Sequence, residues 1–154
     1  EWPDLEVQRE FEKSLLAKVQ TLGDASDNVD VMEFRDFVVA YRQSDDVFMF
    51  VVGGRDENEL IMAEVLHSLD QTLALMLRGQ VYEEVILENL QGVLLVIDEL
   101  VDQEGVIMES EPLELVARAG QQNASFMDQV PLGEQTLSQA LQTARDQITR
   151  SILS

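Results

Sequence analysis

Val47-Phe-Met-Phe-Val-Val-Gly-Gly-Arg-Asp-Glu-Asn-Glu-Leu60 decides how this chain folds. Its first half is a short run of Val, Phe and Met, side chains that suit a pleated, half-buried strand. Gly53-Gly54 then turns the chain. Asp56, with Glu59 three residues on, has the spacing of a capping box, in which acids answer the free N–H groups of a helix's first turn. Met62, Leu66, Leu69, Leu73 and Met76 return every three or four residues, which is one face of a long helix. Strand, glycine corner and helix therefore mark the junction between a sheet and a helical layer.

The flanking sequence extends both halves. Leu5, Phe11, Leu15, Leu16 and Val19 fall at helical spacing, so residues 4–20 read as a first amphipathic helix. The polar stretch Gly23-Asp-Ala-Ser-Asp-Asn28 separates it from strands expected over 29–35, 37–43 and 47–53, with Ser44-Asp45-Asp46 as the turn between the last two. An antiparallel meander is the simplest arrangement. Beyond the long helix, Arg78-Gly79-Gln80 breaks the pattern and a second helix is expected over 82–101. Its many apolar positions read as burial on several sides. Val93-Leu-Leu-Val-Ile97 alone also fits a strand, but the length of the segment and its lack of internal turn signals favour helix.

Asp102 to Gly105 ends that helix, and an extended piece over 105–112 leads to a helix from 112 or 113 to about 119, with Pro112 suited to a first turn. Gly120 to Asn123 reads as a linker. Leu137, Leu141, Ala144, Ile148 and Ile152 then form a helical stripe that packs home or reaches a partner. The division expected is one α+β domain over 1–120 and a linker with an amphipathic helical tail over 121–154.

A chain of 154 residues buries roughly two thirds of its unfolded surface in one core. It has no cysteine, no basic-then-apolar leader and no apolar run long enough to span a bilayer, the profile of a soluble intracellular protein. Thirty acidic side chains against ten basic ones, of which only two are lysine, give a formal charge of −20. Such a surface repels nucleic acid and anionic lipid, whose phosphates bind through Lys and Arg. It suits a basic protein partner, and it also suits a plain solvated surface, the reading that charge alone favours.

Patterns that carry chemistry are absent. Glu83-Glu84, Asp98-Glu99 and the pair Glu109 and Glu111 read as solvated faces, because a catalytic pair needs two carboxylates facing across a cleft with separated pKa values. One histidine, His67, stands off the apolar stripe of its helix, with no nucleophile motif to serve. No metal-ligating set and no calcium loop occurs. Gly53-Gly54 lacks the Lys-Ser or Lys-Thr of a phosphate loop and the three-glycine dinucleotide spacing. No enzyme, cofactor or metal is expected.

The order of the pieces then becomes informative. Met32-Glu-Phe-Arg-Asp-Phe-Val-Val-Ala-Tyr-Arg42 is similar to a strand pair of clathrin-adaptor sigma subunits. The strings Val51-x-Gly-x-x-x-Glu-Asn-Glu-Leu60, Leu87-Glu-Asn89 followed by Asp98-Glu99, and Gly105-Val-Ile-x-Glu-Ser-x-Pro112 more closely resemble the zeta-type small subunits of the COPI coatomer. Pro131-Leu-Gly-Glu-Gln-Thr-Leu-Ser-Gln-Ala-Leu-Gln142 resembles the zeta C-terminus and has no sigma counterpart. The likeness covers nearly the whole chain.

This resemblance implies a longin-like fold, a meander packed against long helices, from which this chain lacks the first two N-terminal strands. It also implies a non-catalytic coat subunit in Golgi-to-ER and intra-Golgi transport, cytoplasmic and peripheral on Golgi membranes and COPI vesicles. Its partners would be a gamma-type large-subunit trunk, in a stable heterodimer, and the other coatomer subunits. An Arf-type GTPase and the membrane would be reached only indirectly, through the coat. The alternatives are a sigma-type clathrin-adaptor subunit and a longin domain regulating a GTPase or a membrane-fusion protein. Sigma subunits bind dileucine signals in an apolar pocket, where this chain has Asp70 and Gln80, so that pocket is not expected. Candidate partner-binding residues are Val93, Val96 and Leu100 on the second long helix and Leu137, Leu141 and Ile148 on the tail.

Overall fold

The computed structural model describes residues 4–22, 28–102 and 104–122. Helix α1 (Leu5–Leu22) is followed by strands β1 (Asp30–Phe34), β2 (Phe37–Ser44) and β3 (Val47–Gly54), then by α2 (Glu59–Met76), α3 (Glu83–Glu88), α4 (Leu90–Leu100) and α5 (Pro112–Gln122). The strands form an antiparallel sheet in the order β1-β2-β3, the expected meander. Two-residue turns join them, at Arg35-Asp36 between the paired Phe34 and Phe37 and at Asp45-Asp46 between the paired Ser44 and Val47. Arg35 and Asp45 take positive φ values of 54° and 50°, which a tight reversal imposes on its first residue.

Helices cover both faces of this sheet. Val38 and Ala40 of β2 and Met49 of β3 point to one side, where they pack with Met62, Leu66, Leu73 and Met76 of α2 and with Val93, Val96, Val116 and Ala119 behind them. The alternate residues Val39 and Tyr41 point to the other side, where Phe11, Leu15 and Val19 of α1 cover them. Phe11 sits edge-on to Phe34 and Phe37, with ring centres 5.4 and 5.3 Å away. This explains why Phe37-Val-Val-Ala-Tyr41 is apolar without alternation: a strand covered on both faces has no wet side. The Leu and Met core of α2 contributes strongly, since full burial of a side chain such as Leu66, 0% exposed, is worth roughly 2 kcal/mol.

The double-glycine corner behaves as read, except for its cap. Glu57 N–H donates to the Gly54 carbonyl at 3.1 Å, closing a turn that holds Asp56 outside the helix. Asn58 is the cap instead, its side-chain oxygen accepting from Leu60 N–H at 2.9 Å. Gly53 faces α2, where a β-carbon would come within 2.9 Å of Glu57 Cγ and 3.0 Å of Met62 Sδ. A side chain there would hold the helix off the sheet.

Three further expectations are corrected. The helix expected over 82–101 is two helices, with a break at Asn89, whose φ of −111° and ψ of 21° leave the helical region. Residues 93–97 are helical, as the length of the segment favoured. The second of these helices is buried on one side only. Finally, α5 continues through Gly120 to Gln122, where a linker was expected to begin.

Candidate partner-docking face

α4 carries two apolar stripes. Val93, Val96 and Leu100 are 6%, 0% and 2% exposed, and they pack against the sheet-facing helix α2 and against α5. These are three of the residues singled out in the sequence as partner-binding, and the fold uses them as core. Leu90, Leu94 and Ile97, spaced four and three residues apart, form the other stripe and are 44%, 53% and 41% exposed. Leu87, on α3, extends the row at 59%. A row of open apolar side chains such as this marks a candidate docking surface. Leu137, Leu141 and Ile148 lie outside the described residues.

One long-range contact and one local turn hold α3 and α4 in place. α3 has no capping bond from its own N-cap, Tyr82. Asp46 of the β2–β3 turn supplies one from a distance, accepting from Glu83 N–H at 2.9 Å. At the far end, the turn after α4 is built on Asp102, whose carboxylate accepts from Glu104 N–H at 2.9 Å and Val106 N–H at 2.8 Å. Gly105 takes φ 83° in that turn, a left-handed value suited to glycine. The chain then returns beside α4 through the Val101 and Ile107 bridge.

Arg118 of α5 closes the arrangement, 2.8 Å from Glu109 and 3.9 Å from Glu99. Glu109 also accepts from the backbone N–H groups of Glu111 at 3.0 Å and Ser110 at 2.9 Å. Those bonds, Glu111's first, together with the guanidinium hold its carboxyl below the usual glutamate range.

The stretch that forms α3 and α4 carries charge of one sign. Between Arg78 and Arg118 the chain has ten carboxylates and no basic side chain. Glu84, Glu88 and Asp98 are exposed beside the Leu87, Leu90 and Leu94 row, Asp98 one helical turn from Leu94. The total of −20 does not reveal this base-free stretch, although a count of residues along the chain does.

A second concavity, of about 580 Å³, lies between α1 and β3 and is lined by Phe11, Leu15, Leu16, Phe48, Phe50 and Val52 among others. β3 is the outer strand of the sheet on this side. Nothing in either place assembles chemistry. Among the described residues, no three His, Cys, Asp or Glu side chains are grouped to hold a metal. No helix there is long and apolar enough to cross a membrane. His67 is half-buried with Nε2 2.9 Å from Gln71 Nε2. Asp70 is a buried partner of Arg42, 3.2 Å away, and Gln80 is exposed.

A three-stranded antiparallel sheet between helices, with an open apolar row on the outer helix, is the arrangement of an adaptor-type α+β chain of longin-like fold. The family model described as clathrin adaptor complex small chain matches residues 3–125. Coatomer subunit zeta-1 of Arabidopsis thaliana is 38% identical over 153 residues, covering 99% of this chain and 84% of the relative. Coatomer subunit zeta-1 of Homo sapiens is 37% identical over 152 residues, 99% of this chain and 80% of the relative. Coatomer subunit zeta-3 of Oryza sativa subsp. japonica is 38% identical over 157 residues, 100% of this chain and 85% of the relative. The chain belongs to the clathrin adaptor complex small chain family, and its relatives there are coatomer zeta subunits.

Proposed function

We propose that this protein is the small subunit of a COPI-type coat, forming a stable heterodimer with the trunk of a gamma-type large subunit and acting by docking, without a reaction of its own. Likeness to zeta subunits over almost the full chain supports the class of partner. The observation that carries the docking reading is the Leu90, Leu94 and Ile97 row, which the fold leaves open on a helix whose other stripe is fully buried. Permanent subunit interfaces are large and apolar, and a surplus apolar helix face is the part such an interface needs. Through the assembled coat the protein would reach Golgi membranes and an Arf-type GTPase, in the cytoplasm, for Golgi-to-ER and intra-Golgi transport. The tail stripe of Leu137, Leu141 and Ile148 belongs to the same proposal as a secondary contact.

Size-exclusion chromatography of the full chain with and without a purified gamma-type trunk tests this. The mixture should give one sharp heterodimer peak that elutes earlier than either component alone. Two separate peaks, with the chain monomeric in its own, would remove the proposal.

A further inference from the structure

The chemistry of the surface that meets this protein can be read from the α3–α4 face. A row of leucine and isoleucine side chains, closed to the core and open to solvent, runs along it. The same stretch, from residue 79 to 117, holds ten of the chain's thirty acidic residues without a single Lys, Arg or His. Glu99 and Glu109 are engaged by Arg118, and Asp102 by backbone N–H groups of its own turn. Glu84, Glu88 and Asp98 stay at the surface, so the apolar row has an acidic border.

That combination selects its occupant. An apolar centre must be covered to be stabilised, and a border of one charge sign excludes any surface that brings more carboxylates or phosphates near it. A second copy of this chain, itself carrying −20, is repelled, and so is an anionic lipid surface. We propose that the α3–α4 face docks on a basic, helical surface of the large-subunit trunk, with apolar side chains receiving Leu90, Leu94 and Ile97. Lysines or arginines of that trunk would face Glu84, Glu88 and Asp98. This rests on the heterodimer reading above and adds which face is used and what charge the partner must present. The apolar row supplies affinity; the border supplies orientation and the rate of encounter.

The test is binding of the full chain to the gamma-type trunk, with association and dissociation rates followed from about 50 to about 500 mM salt. Leu94→Asp should weaken binding about 30-fold or more, through faster dissociation. The triple change Glu84→Lys, Glu88→Lys and Asp98→Lys, all at exposed positions, should slow association about tenfold at low salt and flatten its salt dependence. A triple reversal of equal charge on α1, Glu6→Lys, Glu10→Lys and Glu12→Lys, should change association by less than about twofold.

Circular dichroism and thermal melts of each variant separate docking from folding. If the unaltered chain ignores the trunk, the heterodimer reading itself fails. If it binds, and the α3–α4 variants bind as well as it does while folded, this inference fails and the heterodimer reading stands. Equal effects of the α1 and α3–α4 reversals would also overturn it, since net charge alone would then explain the rate.

Discussion

Asn58 shows how one residue sets an element boundary. Asp56 and Asn58 are both good caps, and Glu59 completes a capping box only with Asp56, so local pattern favoured the wrong residue. The Glu57 N–H to Gly54 carbonyl bond decides the matter, because it spends residues 54–57 on a turn. Asn58→Ala should therefore destabilise the protein by about 1 kcal/mol, while Asp56→Ala stays within about 0.5 kcal/mol, measured as midpoints in denaturant. Gly53 was legible as a corner from its sequence. Its reason was not, since Met62 and Glu57 press on it only once α2 lies across the sheet.

At the level of elements, periodicity revealed what each segment is and not which way it faces. All three strands and the helical nature of α2 and α4 followed from side-chain spacing. The two stripes of α4 are nearly equal in composition, and only the placement of α2 and α5 makes Val93, Val96 and Leu100 core and leaves Leu90, Leu94 and Ile97 outside. The Asn89 break was equally hidden. So was the cap that Asp46 lends to Glu83, 37 residues along the chain, because no local pattern reports such a bond.

Another contact of this kind ties β2 to α2. Arg42 meets Asp70 at 3.2 Å with side-chain exposures of 20% and 10%, and the Arg42 Nε is buried without a hydrogen-bond partner. A half-satisfied ion pair of this sort gains little over apolar packing, yet loss of one member strands the other. Asp70→Ala should cost about 2 kcal/mol, less than for a fully buried pair because Arg42 keeps some access to water. The double change Arg42→Met with Asp70→Leu should fall within about 1 kcal/mol of the parent, again by denaturant midpoint. A double variant as unstable as the single would assign the pair a larger net role.

For the whole molecule, composition and order of elements carried the class and the core layout did not. The sequence suggested a meander packed against long helices without assigning their faces; the structure puts α1 on one face and the α2, α4 and α5 layer on the other. That sandwich covers most of both sheet faces, with the concavity between α1 and β3 left between the layers, and gives α3 and α4 an outer side of their own. There an open apolar row and a border of single sign coincide, which is why the charge of −20, uninformative as a total, becomes informative by location. The protein's work on this account is to present that face to a larger subunit.

Hydrogen exchange of the full chain, alone and with a gamma-type trunk, tests this most directly, because it reports where contact occurs without any substitution. Amides of residues 83–100 should slow markedly on mixing, with β1 and the exposed side of α1 little changed. Exchange left unaltered over 83–100 in a chain that has bound the trunk would contradict the account.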